Sequence, residues 1–266
     1  MLPLILWSSS AAEPAPQVVD ISGAAGARWR VEALDAQIVR LWLKPTGEFV
    51  REPSLAMAAA PRERAPLAVS AAGARTLVDT TALRVAIDQT TLSFSVVTRG
   101  THAPVWPATT VVVTKDGSGW TLTRALGAGE RLLGLGQDNH NHGRLDRRGT
   151  VRELWAGQQI NSGNVTADYP VPMLLTLAAD GSACGLFFDN VHRLRFDLGK
   201  TTADELRLDA DGGEVDLYVI AGPKPPAPSL RNTTVPDGMT VTKSGKPSRL
   251  KSAAATSAPV LLTLVE

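Results

Sequence analysis

Between Arg28 and Ile220 the chain alternates between apolar and polar positions. Trp29, Val31 and Ala33 interleave with Arg28, Arg30 and Glu32, and Val39, Leu41 and Leu43 follow with Arg40 and Trp42 on the other face. Leu83, Val85 and Ile87 alternate with Arg84, Ala86 and Asp88; Leu92, Phe94 and Val96 alternate with Ser93, Ser95 and Val97. A period of two sends successive side chains to opposite sides of a pleat, so these runs predict half-buried antiparallel strands. Ala179-Asp180-Gly181-Ser182 separates the apolar runs Pro172 to Leu177 and Cys184 to Phe188, and Ala210-Asp211-Gly212-Gly213 separates Leu206-Arg207-Leu208 from Val215 to Ile220. Asp-Gly and Gly-Gly supply the positive φ of tight hairpins. With no long amphipathic helix and no internal repeat, the pattern predicts an all-β chain, an antiparallel β-sandwich.

Both ends depart from this pattern. Met1 to Trp7 is a short apolar run followed by Ser8-Ser9-Ser10-Ala11-Ala12, which resembles the end of an export signal, although the first basic residue is Arg28. This favours a periplasmic or secreted location over a cytoplasmic one. After Gly222 comes Pro223-Lys224-Pro225-Pro226-Ala227-Pro228, then a stretch rich in Ser, Thr, Lys and Ala that runs to Val260-Leu261-Leu262-Thr263-Leu264-Val265. Such composition predicts an extended or disordered tail. The expected organisation is an N-terminal segment 1–27, a sandwich domain 28–222 and a tail 223–266.

Composition narrows the function classes. Of 266 residues, 44% are hydrophobic and 20% charged, enough apolar surface to exclude global disorder. With 27 Lys+Arg against 26 Asp+Glu, the formal charge of +1 makes no electrostatic case for nucleic acid or a membrane surface. No apolar run approaches the roughly 20 residues of a helical membrane span. One cysteine, Cys184, excludes an internal disulfide framework and a multi-thiolate zinc site. No cofactor is expected. Gly134-Leu135-Gly136 lacks the third glycine and the helix of a dinucleotide site.

Six blocks in order are more specific. They are Glu130 to Gln137 (ERLLGLGQ); Leu145-Asp146-Arg147-Arg148-Gly149 leading to Leu154-Trp155; Tyr169 to Met173; Gly185 to Asn190 (GLFFDN); Phe196-Asp197-Leu198-Gly199; and Gly212 to Pro223 (GGEVDLYVIAGP). The set resembles the N-terminal β-sandwich of glycoside hydrolase family 31, the α-glucosidase and α-xylosidase family. It covers roughly Leu83 to Pro223, with weaker likeness back to Trp29. The resemblance implies a galactose-mutarotase-like fold that packs against a catalytic (β/α) barrel in the same chain. In that family the two catalytic aspartates lie in the barrel, the nucleophile within a Trp-x-Asp-Met type motif. This sequence has no such motif, and only Ser229-Leu230-Arg231-Asn232-Thr233 faintly matches the helix that precedes the barrel. Retaining glycoside hydrolysis needs two carboxylates about 5 Å apart. No such pair stands out here, so no catalytic residue is nominated, and the chain alone is expected to be inactive.

Within Leu154-Trp155-Ala156-Gly157-Gln158-Gln159, the resemblance places a loop that reaches the mouth of the active site. Trp155 is a candidate for stacking on a sugar ring. Gln158, where the family usually has an aspartate, and Gln159 are candidates for hydrogen bonds to hydroxyls. The competing reading of Trp155 is a core or interface aromatic.

Asp138-Asn139-His140-Asn141-His142 carries a His-x-His pair, but no further ligands are evident and a polar loop is the plainer reading. Asp146, Arg147 and Arg148 read as a charged turn or as docking residues. Leu186, Phe187, Phe188, Leu194 and Phe196 read as core. Asn164-Val165-Thr166 and Asn232-Thr233-Thr234 match the glycosylation sequon, relevant only to a secreted eukaryotic chain.

Three functions compete. The leading one is an accessory, carbohydrate-binding or barrel-supporting domain of an α-glycosidase, separated from its barrel by truncation or by a changed reading frame near Pro225. The second is a stand-alone carbohydrate-binding module, its aromatic platform drawn from Trp155 and Trp120. The third is a mutarotase-like epimerase using His140 or His142 with Asp138, which rests on fold analogy. The expected ligand is an α-glucoside or α-xyloside.

Overall fold

The computed structural model describes residues 17–49, 65–114, 118–136, 145–155 and 170–222. Within them the alternating runs form two sheets. Sheet A has seven strands, in the spatial order β1 (Val18–Ser22), β2 (Arg28–Ala33), β3 (Ile38–Lys44), β16 (Val215–Ala221), β13 (Ala183–Phe188), β12 (Met173–Leu177) and β10 (Arg131–Gly134). Sheet B has nine, in the order β11 (Val151–Leu154), β14 (Leu194–Leu198), β15 (Glu205–Ala210), β9 (Trp120–Ala125), β8 (Pro104–Val113), β7 (Phe94–Thr98), β6 (Leu83–Asp88), β5 (Arg75–Asp79) and β4 (Ala68–Ala72). Every neighbouring pair is antiparallel. The expected all-β antiparallel sandwich is therefore the observed one. The first strand precedes Arg28: Val18–Ser22 pairs along its whole length with β2, inside the segment read as preceding the domain.

The core lies between the sheets, as the period predicts. Trp29 and Val31 of β2, Leu41 of β3 and Leu217 of β16 face Phe94, Val96 and Leu208 of sheet B, all fully buried or nearly so. Aromatic pairs bridge the layers: Trp29 meets Phe94 edge-on at 5.5 Å between ring centroids, and Phe188 meets Phe196 at 5.4 Å. The two turns read from glycine chemistry have the backbone they need, with Gly181 at φ 83° and Gly213 at φ 72°.

Two placements differ from expectation. Phe187 leaves the predicted aromatic core: in β13 it alternates with buried Leu186 and Phe188, so the pleat turns it outward, where its ring meets Tyr218 at 5.8 Å. Trp120, offered as an exposed platform, is only 3% exposed because it occupies an inward position of β9.

Candidate functional site

The strand registers gather one rim of the sandwich. In sheet B the pairs Leu154–Leu194, Leu194–Ala210, Ala210–Trp120 and Trp120–Val113 form a single row at one end. In sheet A the same end holds the end of β13 and the starts of β12 and β16. Two connections cross between the sheets here, Asp189–Arg193 from β13 to β14 and Asp211–Glu214 from β15 to β16. Loops at one end of a rigid sandwich are where such folds carry binding residues.

Trp155 sits on this rim, one residue past Leu154, and is 53% exposed. Its neighbour Glu153 accepts a hydrogen bond from Arg193 at 2.5 Å, which holds the Arg193 guanidinium pKa above its usual value. The loop opposite is pinned from within. Asn190 Nδ2 donates to the Gly212 carbonyl at 2.9 Å, and its Oδ1 accepts from the His192 backbone N–H at 2.7 Å. The His192 ring lies so close to Gly212 that a Cβ there would stand 2.6 Å from Nδ1. The rim thus presents an open indole beside a braced loop. Such an indole suits the C–H face of a sugar ring, while its charged neighbours are already paired.

Of the predicted site residues, Trp155 is described and exposed, whereas Gln158 and Gln159 lie outside the described residues. So do Asp138, His140 and His142. His192 and Arg193 were not singled out from sequence. Their only signal is register, since Leu194 pairs with Leu154 and so brings the residues before it towards Trp155. Asp146, Arg147 and Arg148 act as internal staples. Asp146 Oδ1 accepts from the backbone N–H groups of Leu132 (3.1 Å) and Arg148 (3.0 Å), Arg147 Nη2 donates to the Gly136 carbonyl (3.3 Å), and Arg148 Nη1 donates to the Gly127 carbonyl (2.7 Å).

Four buried acids among the described residues are committed to internal partners. Asp216 binds Arg40 through both carboxylate oxygens, the Nε contact being 2.7 Å; burial nevertheless pushes its pKa up. Asp79 binds Arg84 twice at 2.7 Å, and Glu130 binds Arg124 at 2.6 and 3.0 Å. Asp197 accepts from the Thr201 hydroxyl and from the backbone N–H groups of Lys200 (2.8 Å) and Thr201 (3.1 Å). Each of these four carboxylates is held by an arginine or by hydroxyl and backbone N–H donors.

The class the described residues define is a two-sheet antiparallel β-sandwich with loop-borne residues on one rim. The profile of the glycosyl hydrolase 31 N-terminal galactose mutarotase-like domain matches residues 28–197, and the chain belongs to that family. It is 35% identical over 98 residues to α-glucosidase 2 of Bacillus thermoamyloliquefaciens and 27% identical over 101 residues to the α-xylosidase XylQ of Lactiplantibacillus pentosus. These matches span 36% and 38% of this chain but only 12% of each relative. A Flavobacterium johnsoniae family-31 dextranase shares the fold, with a TM-score of 0.64 at 20% identity, over 77% of this chain and 25% of that one. A cycloalternan-forming enzyme from Listeria monocytogenes does so with a TM-score of 0.58 at 15% identity, over 77% and 20%.

Proposed function

We propose that the chain is the accessory domain of an α-glycosidase: it supports a catalytic barrel, closes near Gly222 and breaks no glycosidic bond itself. The observation that carries this reading is the match of residues 28–197 to a domain that forms the N-terminal part of longer glycosidases. The commitment of the buried acids to arginines and N–H groups agrees with it. Trp155 supplies the sugar contact at the rim, to an α-glucoside or α-xyloside held chiefly by the barrel, and Gln158 and Gln159 are the further candidates that the sequence offers. An aryl α-glucoside and an aryl α-xyloside incubated with the purified chain test the assignment. No turnover above buffer is expected, and sustained turnover abolished by a single Asp or Glu substitution in this chain would overturn it.

A second reading, a self-sufficient carbohydrate-binding module, is favoured by the exposure of Trp155. Calorimetric titration with maltose and xylo-oligosaccharides separates the two. The accessory reading expects nothing tighter than about millimolar, whereas a module gives micromolar binding that Trp155→Ala removes.

A further inference from the structure

β4 closes one edge of sheet B, paired with β5 alone. All five of its residues, Ala68-Val69-Ser70-Ala71-Ala72, are exposed. Val69 is 50% exposed although it shares a face with the buried Val78 opposite it. Sheet B has nine strands against seven in sheet A, and β4 lies beyond the cover of the opposite layer. Its backbone is half used. Ala72 and Arg75 close the hairpin over the two-residue turn Gly73-Ala74, with Gly73 at φ 63°, so their N–H and C=O groups bond each other. From there the antiparallel ladder alternates. Ala68, Ser70 and Ala72 therefore bond β5, and Val69 and Ala71 direct N–H and C=O away from the sheet, where among the described residues they meet no other segment. The other three edges are guarded. β1 carries Asp20 in a bridge to Arg30 at 2.7 Å, and β11 carries Arg152 and Glu153. On β10 the Leu132 carbonyl accepts the Arg147 N–H at 2.6 Å, and the Leu132 N–H donates to Asp146 Oδ1 at 3.1 Å. β4 has no charge, no proline and no bulge, the devices that keep exposed edges from pairing.

We propose that β4 is a self-association edge: it pairs antiparallel with β4 of a second copy of this chain, about a two-fold axis through Ser70. The inference is independent of the accessory-domain reading. The occupant follows from the register that the outward groups allow. With Ser70 opposite Ser70, Val69 lies opposite Ala71 of the second copy and Ala71 opposite its Val69. These are the residues whose backbone groups point outward, so each pair exchanges both of its N–H···O=C bonds. A shift by one residue sets an outward group against one already bonded to β5. Centring on Val69 or Ala71 instead leaves the other opposite a residue beyond the strand. The side chains suit the same register. Ser70 faces Ser70, a cross-strand pair that shares a hydroxyl hydrogen bond. Ala68 lies opposite Ala72, and the charged residues behind them on β5, Asp79 and Arg75, are opposite in sign. On the inner side Val69 and Ala71 cover each other's exposed methyl groups. A ladder of five residues is smaller than the roughly 1,200 Å² at which stable complexes begin, so the association is weak and depends on concentration.

Sedimentation velocity of the 266-residue chain between about 3 and 300 µM tests this. A monomer at the low end should pass to a dimer at the high end, and closure about the two-fold axis stops growth there. Ser70→Lys and Ser70→Asp each bring like charges face to face, and Ala71→Pro removes an outward N–H without touching the bonds to β5. Each should weaken dimerisation by about tenfold or more. An equal mixture of Ser70→Lys and Ser70→Asp should dimerise at least as well as wild type, because Lys then faces Asp across the axis. Far-UV circular dichroism verifies that each variant folds. A wild-type chain that stays monomeric at about 300 µM overturns the proposal. Dimerisation that persists unchanged in all three variants places the contact elsewhere and overturns it as well. Failure of the mixture to dimerise overturns the Ser70-centred pairing, and the proposal with it, whatever the single variants do.

Discussion

Arg124 and Glu130 make the most exacting test of the sandwich interior. The Arg124 side chain has no solvent exposure, and its guanidinium lies 4.2 Å from the centre of the Trp106 ring. Glu130 meets it with two bonds of 2.6 and 3.0 Å and also accepts the Gly127 backbone N–H at 2.9 Å. Arg124 Nη1 donates further to the Ala125 carbonyl at 2.8 Å, while its Nε has no hydrogen-bond partner. Glu130→Leu leaves a buried cation with one carbonyl and a ring face for company. Breaking such a pair costs about 3–5 kcal/mol, a large share of the roughly 5–15 kcal/mol that holds a domain folded. At a urea m-value of about 2.5 kcal/mol/M, the midpoint should fall by about 1.5 M. Arg124→Met should cost a similar amount by stranding the carboxylate. The double variant Arg124→Met/Glu130→Leu should return to within about 1–2 kcal/mol of wild type, because no charge is then left to desolvate. Urea unfolding followed by far-UV circular dichroism gives all four corners of the cycle. If Glu130→Leu alone costs less than about 1 kcal/mol, or if the two losses add in the double variant, the buried pair is not the constraint described.

Three further outcomes follow from local geometry. Gly134 has φ 95°, and a Cβ there would stand 2.4 Å from the Met173 backbone carbonyl oxygen, which already accepts the Leu135 N–H; Gly134→Ala should destabilise by more than about 2 kcal/mol in the same urea assay, and a near-neutral result would refute the close approach. Burial pushes the Cys184 thiol up to about 12, so a disulfide reagent at pH 8 should modify it only on unfolding, and labelling of the native chain at the rate of a free thiol would contradict its placement. The Arg84 guanidinium holds the Asp79 carboxyl below its ordinary value; at Asp197 burial pulls the other way, but hydrogen bonds from Thr201 and Lys200 prevail and its value is lowered too. Groups more acidic when folded give stabilisation that is complete above the unfolded carboxylate value, about 4, and lost as pH falls through the lowered folded values. Urea midpoints should therefore hold between pH 7 and 5 and drop by pH 3, more steeply than in Asp79→Asn; a flat profile would exclude the linkage.

Much of the scaffold was legible because a sheet's side-chain period is a property of the chain itself. Trp29, Val31 and Ala33 announced an inward face before any partner was known, and Gly181 and Gly213 announced their turns. The rim was harder to see. Trp155 was found through an ordered set of blocks, whereas His192 and Arg193 are brought towards it only by the pairing of β11 with β14. Nothing in the spacing of residues 153 and 193 foretells that ladder.

What the sequence determined by itself is therefore the fold class, its faces and its kinship, since alternation, turn glycines and block order are all local or linear. The tertiary structure decided what lies above each face. Trp120 and Phe187 both sit in alternating strands, yet one is enclosed by the opposite sheet and the other turned out beside Tyr218. Arg124 found a buried carboxylate six positions away. Leu133, Leu175, Ile220 and Ile38, scattered over the chain, became one apolar row. Alternation distinguishes the two sides of a strand but not which side meets another layer; only register and sheet order assign that, because burial depends on neighbours distant in sequence.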